Sequence, residues 1–106
     1  MAKASDPPRC PAESAVEMIG GKWKIPILWH LFGGPKRFGE LQRLLTPVTQ
    51  KVLIQHLRQL EADGLVTRTV HAQIPPRVDY RLTPRGRSLK PAIEALCAWS
   101  KGCRRK

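Results

Sequence analysis

Acidic residues are scarce in this 106-residue chain, where eight Asp and Glu stand against nineteen Lys and Arg. With so few carboxylates, and with neither a glycine-rich phosphate loop nor a G-x-S-x-G turn, the sequence lacks the convergent acid, base and nucleophile of most enzymes, so an enzyme is a poor reading. Cysteine is sparse too. Cys10, Cys97 and Cys103 are an odd number without CxxC spacing, which argues against a disulfide framework and against a tetrahedral zinc site. A reducing compartment is expected, with no metal and no cofactor. No apolar run approaches the roughly 18 residues of a membrane span, and no stretch has the pattern of a basic helix lying on a lipid surface. The opening MAKASDPPRC lacks the apolar core of a signal peptide, so the expected location is cytoplasmic.

What remains is a surplus of positive charge on a foldable chain. At 42% hydrophobic and 25% charged residues the balance is globular, and the length suits one domain with one modest core. The net charge of +11 exceeds what solubility asks of a small domain and points to a polyanionic partner. Single-stranded RNA is usually bound by stacking on exposed aromatics. Aromatics reach only 6% here, and Trp23, Trp29, Phe32 and Phe38 mostly fall on positions expected to face the core. Double-stranded DNA is therefore the favoured partner, and a basic module that binds RNA or another protein is the alternative.

Residues 1–9, with Asp6-Pro7-Pro8, read as a flexible N-terminal arm, and residues 10–106 as the folded domain. Helical patterning begins after Cys10-Pro11, where proline suits a first turn, and Ala15, Val16, Met18 and Ile19 give it an apolar side. A second helix, over about residues 22–32, carries Trp23, Ile27, Leu28, Leu31 and Phe32. A third, over about residues 37–44, has Phe38, Leu41, Leu44 and Leu45 on one face, and is followed by the turn LTPV. Next comes TQKVLIQHLRQLEADGL, with Val52, Leu53, Leu57 and Leu60 inward at spacings of three and four. Thr49 is placed to cap this helix and Gly64 to end it. From Leu65 the period falls to two, and LVTRTV and VDYRL, separated by HAQIPPR, read as a hairpin with a long tip. Thr83-Pro84 opens a last helix with Leu89, Ile93, Leu96 and Trp99 or Ser100 inward. Pro91 falls within that run, so the helix either begins twice or kinks.

Helix, turn, helix, two-stranded ribbon and closing helix is the order of a winged helix-turn-helix, whose second helix enters the major groove. The outward residues of that helix suit the task. Gln50 and Gln55 offer donor and acceptor to adenine, Lys51 and Arg58 donate to guanine, and Ile54 can meet a thymine methyl. An ordinary solvated face would look similar, but the surplus charge and the ribbon favour DNA. Lys36 and Arg37, at the expected start of the third helix, suit phosphate contacts, which set affinity and register without reading bases. Arg77, after Pro75-Pro76, fits equally well as a minor-groove contact and as a solvated loop arginine. Arg68, Arg81, Arg85 and Arg87 are softer candidates.

Several blocks of the sequence closely resemble the HxlR family of bacterial winged-helix transcriptional regulators: GGKWKIPIL, RFGELQRLL, TQKVLIQHLRQLEADGLVTR and PPRVDYRLTPRGRSL, with CP before them and a tryptophan in the last helix. The resemblance runs in order from Cys10 to about Trp99. It implies an α+β, mainly α fold: a winged helix-turn-helix with a two-stranded β wing, flanked by N- and C-terminal helices that pair two copies. It also implies a homodimer that binds an inverted-repeat operator and represses or activates nearby genes. In family terms Thr49, Gln50, Lys51 and Gln55 lie on the recognition helix and Arg77 on the wing. Ile54 and His71 stand where many members have threonine and tyrosine.

Cys10 is the cysteine best placed for chemistry. A helix N-terminus and the neighbouring Arg9 favour thiolate over thiol, the form that reacts with oxidants and electrophiles. Several members of the family that the chain resembles sense quinones, aldehydes or oxidants through a cysteine near this position, so a small electrophile or oxidant is the expected effector. The competing role for Cys10 is a capping residue without regulation. Cys97 falls near the apolar face of the last helix, and Cys103 lies in the basic end KGCRRK.

Overall fold

Helix-forming runs and helix-breaking residues alternate along the chain, and the computed structural model, which describes residues 10–104, shows where each signal takes effect. The arm expected over residues 1–9 and the side chain of Cys103 lie outside that description. Helix α1 spans Pro11–Ile19, with Pro11 in the first position and Cys10 as its extended N-cap. Helix α2 spans Lys24–Leu31 and buries Ile27, Leu28 and Leu31. Strand β1, Lys36–Arg37, leads directly into α3, Phe38–Leu44. The long helix α4 runs Gln50–Ala62 and is followed by β2, Val66–His71, and β3, Arg77–Leu82. A one-turn helix α5, Pro84–Arg87, precedes α6, Lys90–Arg104.

The three strands form one antiparallel sheet in the order β1-β3-β2. The ribbon of β2 and β3 matches the expected hairpin, and a short third strand extends it at its base. Lys36 and Arg37 therefore do not form a helical first turn; they pair with Tyr80 and Asp79 of β3. Two residues are too few for a period of two to show in a sequence, so this strand was not legible. Arg37 is extended (φ −79°, ψ 159°) and serves as the N-cap of α3. Its backbone N–H donates to Glu40 Oε1 at 2.7 Å.

The core lies between the helices and one face of the sheet. Leu53, Leu57 and Leu60 of α4 meet Ile27, Leu28 and Leu31 of α2, with Leu41 of α3 and Leu65, Val66, Tyr80 and Leu82 from the sheet region. Each such aliphatic side chain contributes about 1.5–3 kcal/mol on leaving water. The closing segment does begin twice, as α5 and again as α6, with Pro91 harmless in the first turn of α6. Its inner face keeps the expected Leu89 and Ile93 and ends on half-buried Ser100, not on Trp99. Ile93 is buried, with Leu89 and Cys97 packed against the core, whereas Leu96 and Trp99 turn outward at 49% and 69% exposure. Val16, Trp29 and Leu44, also expected inward, are exposed as well.

One junction ties α4 to the ribbon and to α5. Gly64 takes a left-handed conformation (φ 76°) that ends α4, and the Leu65 N–H bonds back to the Leu60 carbonyl at 3.0 Å. The Thr83 hydroxyl donates to the Gly64 carbonyl at 2.6 Å and accepts from the Gly86 N–H at 3.0 Å. The Thr83 N–H closes the loop on the Leu65 carbonyl at 3.1 Å. Gly86 is buried there, and a Cβ on it would collide with the Leu65 carbonyl oxygen. Backbone cannot swing aside as a flexible side chain can. Gly86→Ala should therefore lower the unfolding free energy by about 1–3 kcal/mol, as overpacking does. Urea denaturation would check this, and an unchanged midpoint would mean that the junction yields.

Candidate nucleic-acid interface

Helix α4 owes its free face to a sharp start. Thr49 is extended (φ −80°, ψ 157°), and its Oγ1 accepts the Val52 N–H at 3.2 Å, satisfying one of the helix's unpaired donors. The turn before it is pinned by two buried residues, Leu45 and Val48, joined by a Val48 N–H to Leu45 carbonyl bond of 2.9 Å. With Leu53, Leu57 and Leu60 buried, the opposite face is left to Gln50, Lys51, Gln55, Arg58 and Gln59, all exposed, with Ile54 half-buried among them. Together these six side chains line an open depression of about 710 Å³. From Thr49 to Leu60 the helix carries no acid. Such a surface offers amide and cationic donors, amide acceptors and one branched alkyl group, the chemistry that reads base edges.

Gln59 was not singled out in the sequence, although it lies one turn beyond Gln55 and its i+4 spacing was the available signal. Arg58 flanks Tyr80 with Arg68. Burial pushes the Tyr80 hydroxyl above its ordinary value near 10, the Glu61 carboxylate adds to that shift, and Arg68 and Arg58 offset part of it. His56, expected as an ordinary surface histidine, is half-buried.

Lys36 and Arg37 sit on β1, beside the helix-turn-helix and not within its first turn. The α3 N-terminus already receives the Glu40 carboxylate through the Arg37 N–H, so a protein carboxylate occupies the place where a phosphate was expected. Arg37 is exposed, and half-buried Lys36 shares a shallow depression with Glu40, Arg43 and Leu44. Arg43 is thus a further cation near this edge.

The wing is organised by a residue the sequence did not reveal. Asp79 is only 9% exposed. His71 Nε2 lies 2.8 Å from its Oδ2, and Arg77 Nε lies 3.5 Å from its Oδ1. His71 and Arg77 face each other as the last pair of the ribbon, so one carboxylate joins both strands. Arg77 is half-buried in this cluster at the start of β3, below the tip. Two of the softer candidates act as braces: Arg87 Nη1 donates to the Leu82 carbonyl at 3.2 Å, and Arg85 Nη1 reaches the Asp63 carbonyl at 3.5 Å. Arg68 is exposed and Arg81 half-buried. Cys10 is exposed at the α1 N-cap, away from the recognition helix in sequence, and Cys97 packs against the core.

Comparison with known proteins agrees with this arrangement. The family model for the HxlR-like helix-turn-helix matches residues 18–106. The HTH-type transcriptional regulator YtcD of Bacillus subtilis (strain 168) is 54% identical over 87 residues, which cover 82% of this chain and 69% of that protein. Among solved structures, the redox regulator HypR in its oxidized form superposes with a TM-score of 0.82 at 44% identity, over 88% of this chain and 96% of that one. The reduced form of the transcriptional regulator YodB from B. subtilis gives 0.84 at 34% identity, over 92% of this chain and 96% of that one. With most of its length matched by the family model and a close relative sharing more than half of its aligned residues, the chain belongs to the HxlR-like helix-turn-helix family of transcriptional regulators.

Proposed function

We propose that this regulator acts as a homodimer that binds an inverted-repeat operator in duplex DNA, within the cytoplasm, and that Cys10 makes its binding responsive to oxidants or electrophiles. The observation that carries the DNA reading is the exposed, acid-free face of α4, capped by Thr49 and lined by Gln50, Lys51, Ile54, Gln55, Arg58 and Gln59. Gln55 and Lys51 reach base edges, while Lys36, Arg37 and Arg43 hold phosphates beside the groove. Arg77 contributes positive potential from the base of the wing.

Pairing of two copies is supported by apolar side chains that the single chain leaves in water. Val16 on α1, Trp29 on α2, and Leu96 and Trp99 on α6 are exposed by 46% or more, and covering such side chains is what a second copy would do. Two recognition helices related by a two-fold axis then read half-sites about one helical turn apart. No helix among the described residues is long and apolar enough to cross a membrane.

Redox control is supported by the exposure of Cys10 at a helix N-cap and by the likeness to HypR and YodB, the first of which is a redox regulator. Oxidation of Cys10 to a sulfenic acid, or to a disulfide with its counterpart in the dimer, would move α1 and change the distance between the recognition helices.

Reduced protein should prefer one duplex from its own upstream region over shuffled DNA by 10³-fold or more at physiological salt, measured by fluorescence anisotropy, an expected ratio on the order of that for specific regulators. Equal, steeply salt-dependent binding to every duplex would defeat the reading. Gln55→Ala should relax preference at about one base position at a cost of roughly 1–3 kcal/mol, while Lys36→Ala should weaken all duplexes alike and reduce the salt slope by about one. Peroxide should release the operator from the wild type and leave the Cys10→Ser complex intact; release from both proteins would remove Cys10 from the mechanism.

A further inference from the structure

The wing projects as a two-stranded ribbon because β1 ends early. It pairs only with Tyr80 and Asp79, whereas β2 and β3 continue in register to His71 and Arg77. Both of these last residues turn to the Asp79 carboxylate, at 2.8 and 3.5 Å. The imidazole and guanidinium nearest the tip are thereby drawn back toward the sheet.

Beyond them the tip is Ala72-Gln73-Ile74-Pro75-Pro76, which is exposed and carries no charge. Ile74 is 100% exposed. In a protein of net charge +11, a wing that met DNA by electrostatics alone would end in Lys or Arg. This one ends in a branched alkyl side chain followed by two prolines, which restrict the backbone on its C-terminal side, while the Asp79 cluster fixes the ribbon beneath.

From this we infer that Ile74 is a specificity-determining residue, an apolar contact that presses into the minor groove beside each half-site and favours a TA step there; the inference rests on the duplex-DNA reading above. Alkyl side chains of this kind enter the minor groove by partly unstacking a base step, which is least costly at flexible pyrimidine–purine steps. Guanine places its N2 amino group on the minor-groove floor, whereas A·T pairs present only acceptors. An alkyl group pressed over that amino group strips its water and offers no acceptor in return. Among the flexible steps, TA alone is free of guanine, so it is the step selected.

The test uses the full chain. Wild type and Ile74→Ser each select from a pool of randomised duplexes, and each is then titrated against the selected half-sites with TA or GC at the flanking step. Both proteins should enrich the same half-sites. Wild type should also enrich TA at the flank and bind the GC version roughly tenfold more weakly, the scale expected when one exposed aliphatic side chain gains or loses cover. Ile74→Ser should bind both versions alike, near the weaker wild-type value. Because Ile74 is fully exposed, the variant should keep the wild-type circular dichroism and urea midpoint, so that the effect belongs to DNA contact. If Ile74→Ser discriminated TA from GC as strongly as wild type does, or if wild type showed no flank preference, the inference would be overturned while the DNA-binding reading stood. Failure of wild type to enrich any half-site would overturn that reading and the inference with it.

Discussion

The hydroxyl of Thr83 holds together α4 and the wing, the two parts of the molecule proposed to face DNA. It donates to the carbonyl of Gly64, where α4 ends, and accepts from the N–H of Gly86 in α5. The end of the recognition helix, the end of the wing and the start of the closing helices are thereby fixed to one point. Gly86 allows the close approach, because only a residue without Cβ fits against the Leu65 carbonyl. The proposed placement of a helix in the major groove and a ribbon in the neighbouring minor groove would need a constant spacing, and this junction links the two directly. The buried leucines of α4 then hold the helix against the core, so that its polar face is presented rigidly.

A chain with so few acids uses two of them at decisive places. Glu40 closes the N-terminus of α3 through the Arg37 N–H, and Asp79 gathers His71 and Arg77 at the base of the wing. In each case a carboxylate lies where positive charge or unpaired donors would otherwise be uncompensated, which is where a single negative charge does most to order a basic domain. The acid-free stretch from Thr49 to Leu60 is the complement of that placement. Negative charge orders the frame, and the polar face of α4 that is proposed to meet a polyanion is left without it.

The exposed aromatic and aliphatic side chains of α1, α2 and α6 give the same division of labour at a larger scale. Ile93 and Cys97 tie α6 to the domain, whereas Leu96 and Trp99 point away from it. A second copy covering that face would link the spacing of two recognition helices to the positions of α1 and α6. Cys10 is the N-cap residue of α1, so a change of charge or bonding at its sulfur would fall at the end of an element that such pairing would involve. Regulation and DNA reading would then occupy different surfaces joined by one small core.

Much of this was legible in the sequence, because it depends on local chemistry and short periods. Leucines at three- and four-residue spacing fixed the inward face of α4, Thr49 and Gly64 marked its ends, and alternation marked the ribbon; the polar face of α4 followed by subtraction. Other features depend on partners distant in sequence or on phase. The pairing of Lys36 and Arg37 with β3 involves two residues with no period of their own. The His71–Asp79–Arg77 cluster requires the ribbon's register before its members can be seen as neighbours. The inner face of α6 runs from Ile93 through Cys97 to Ser100, and packing alone decides that Leu96 and Trp99 lie off it. Sequence alone thus determined which side chains of α4 face outward and which face the core, since periodicity is a local property. Tertiary structure decided where Arg77 is held, which apolar side chains of α1, α2 and α6 remain exposed, and what reaches the tip of the wing, because those depend on cross-strand register and on the packing of separate elements.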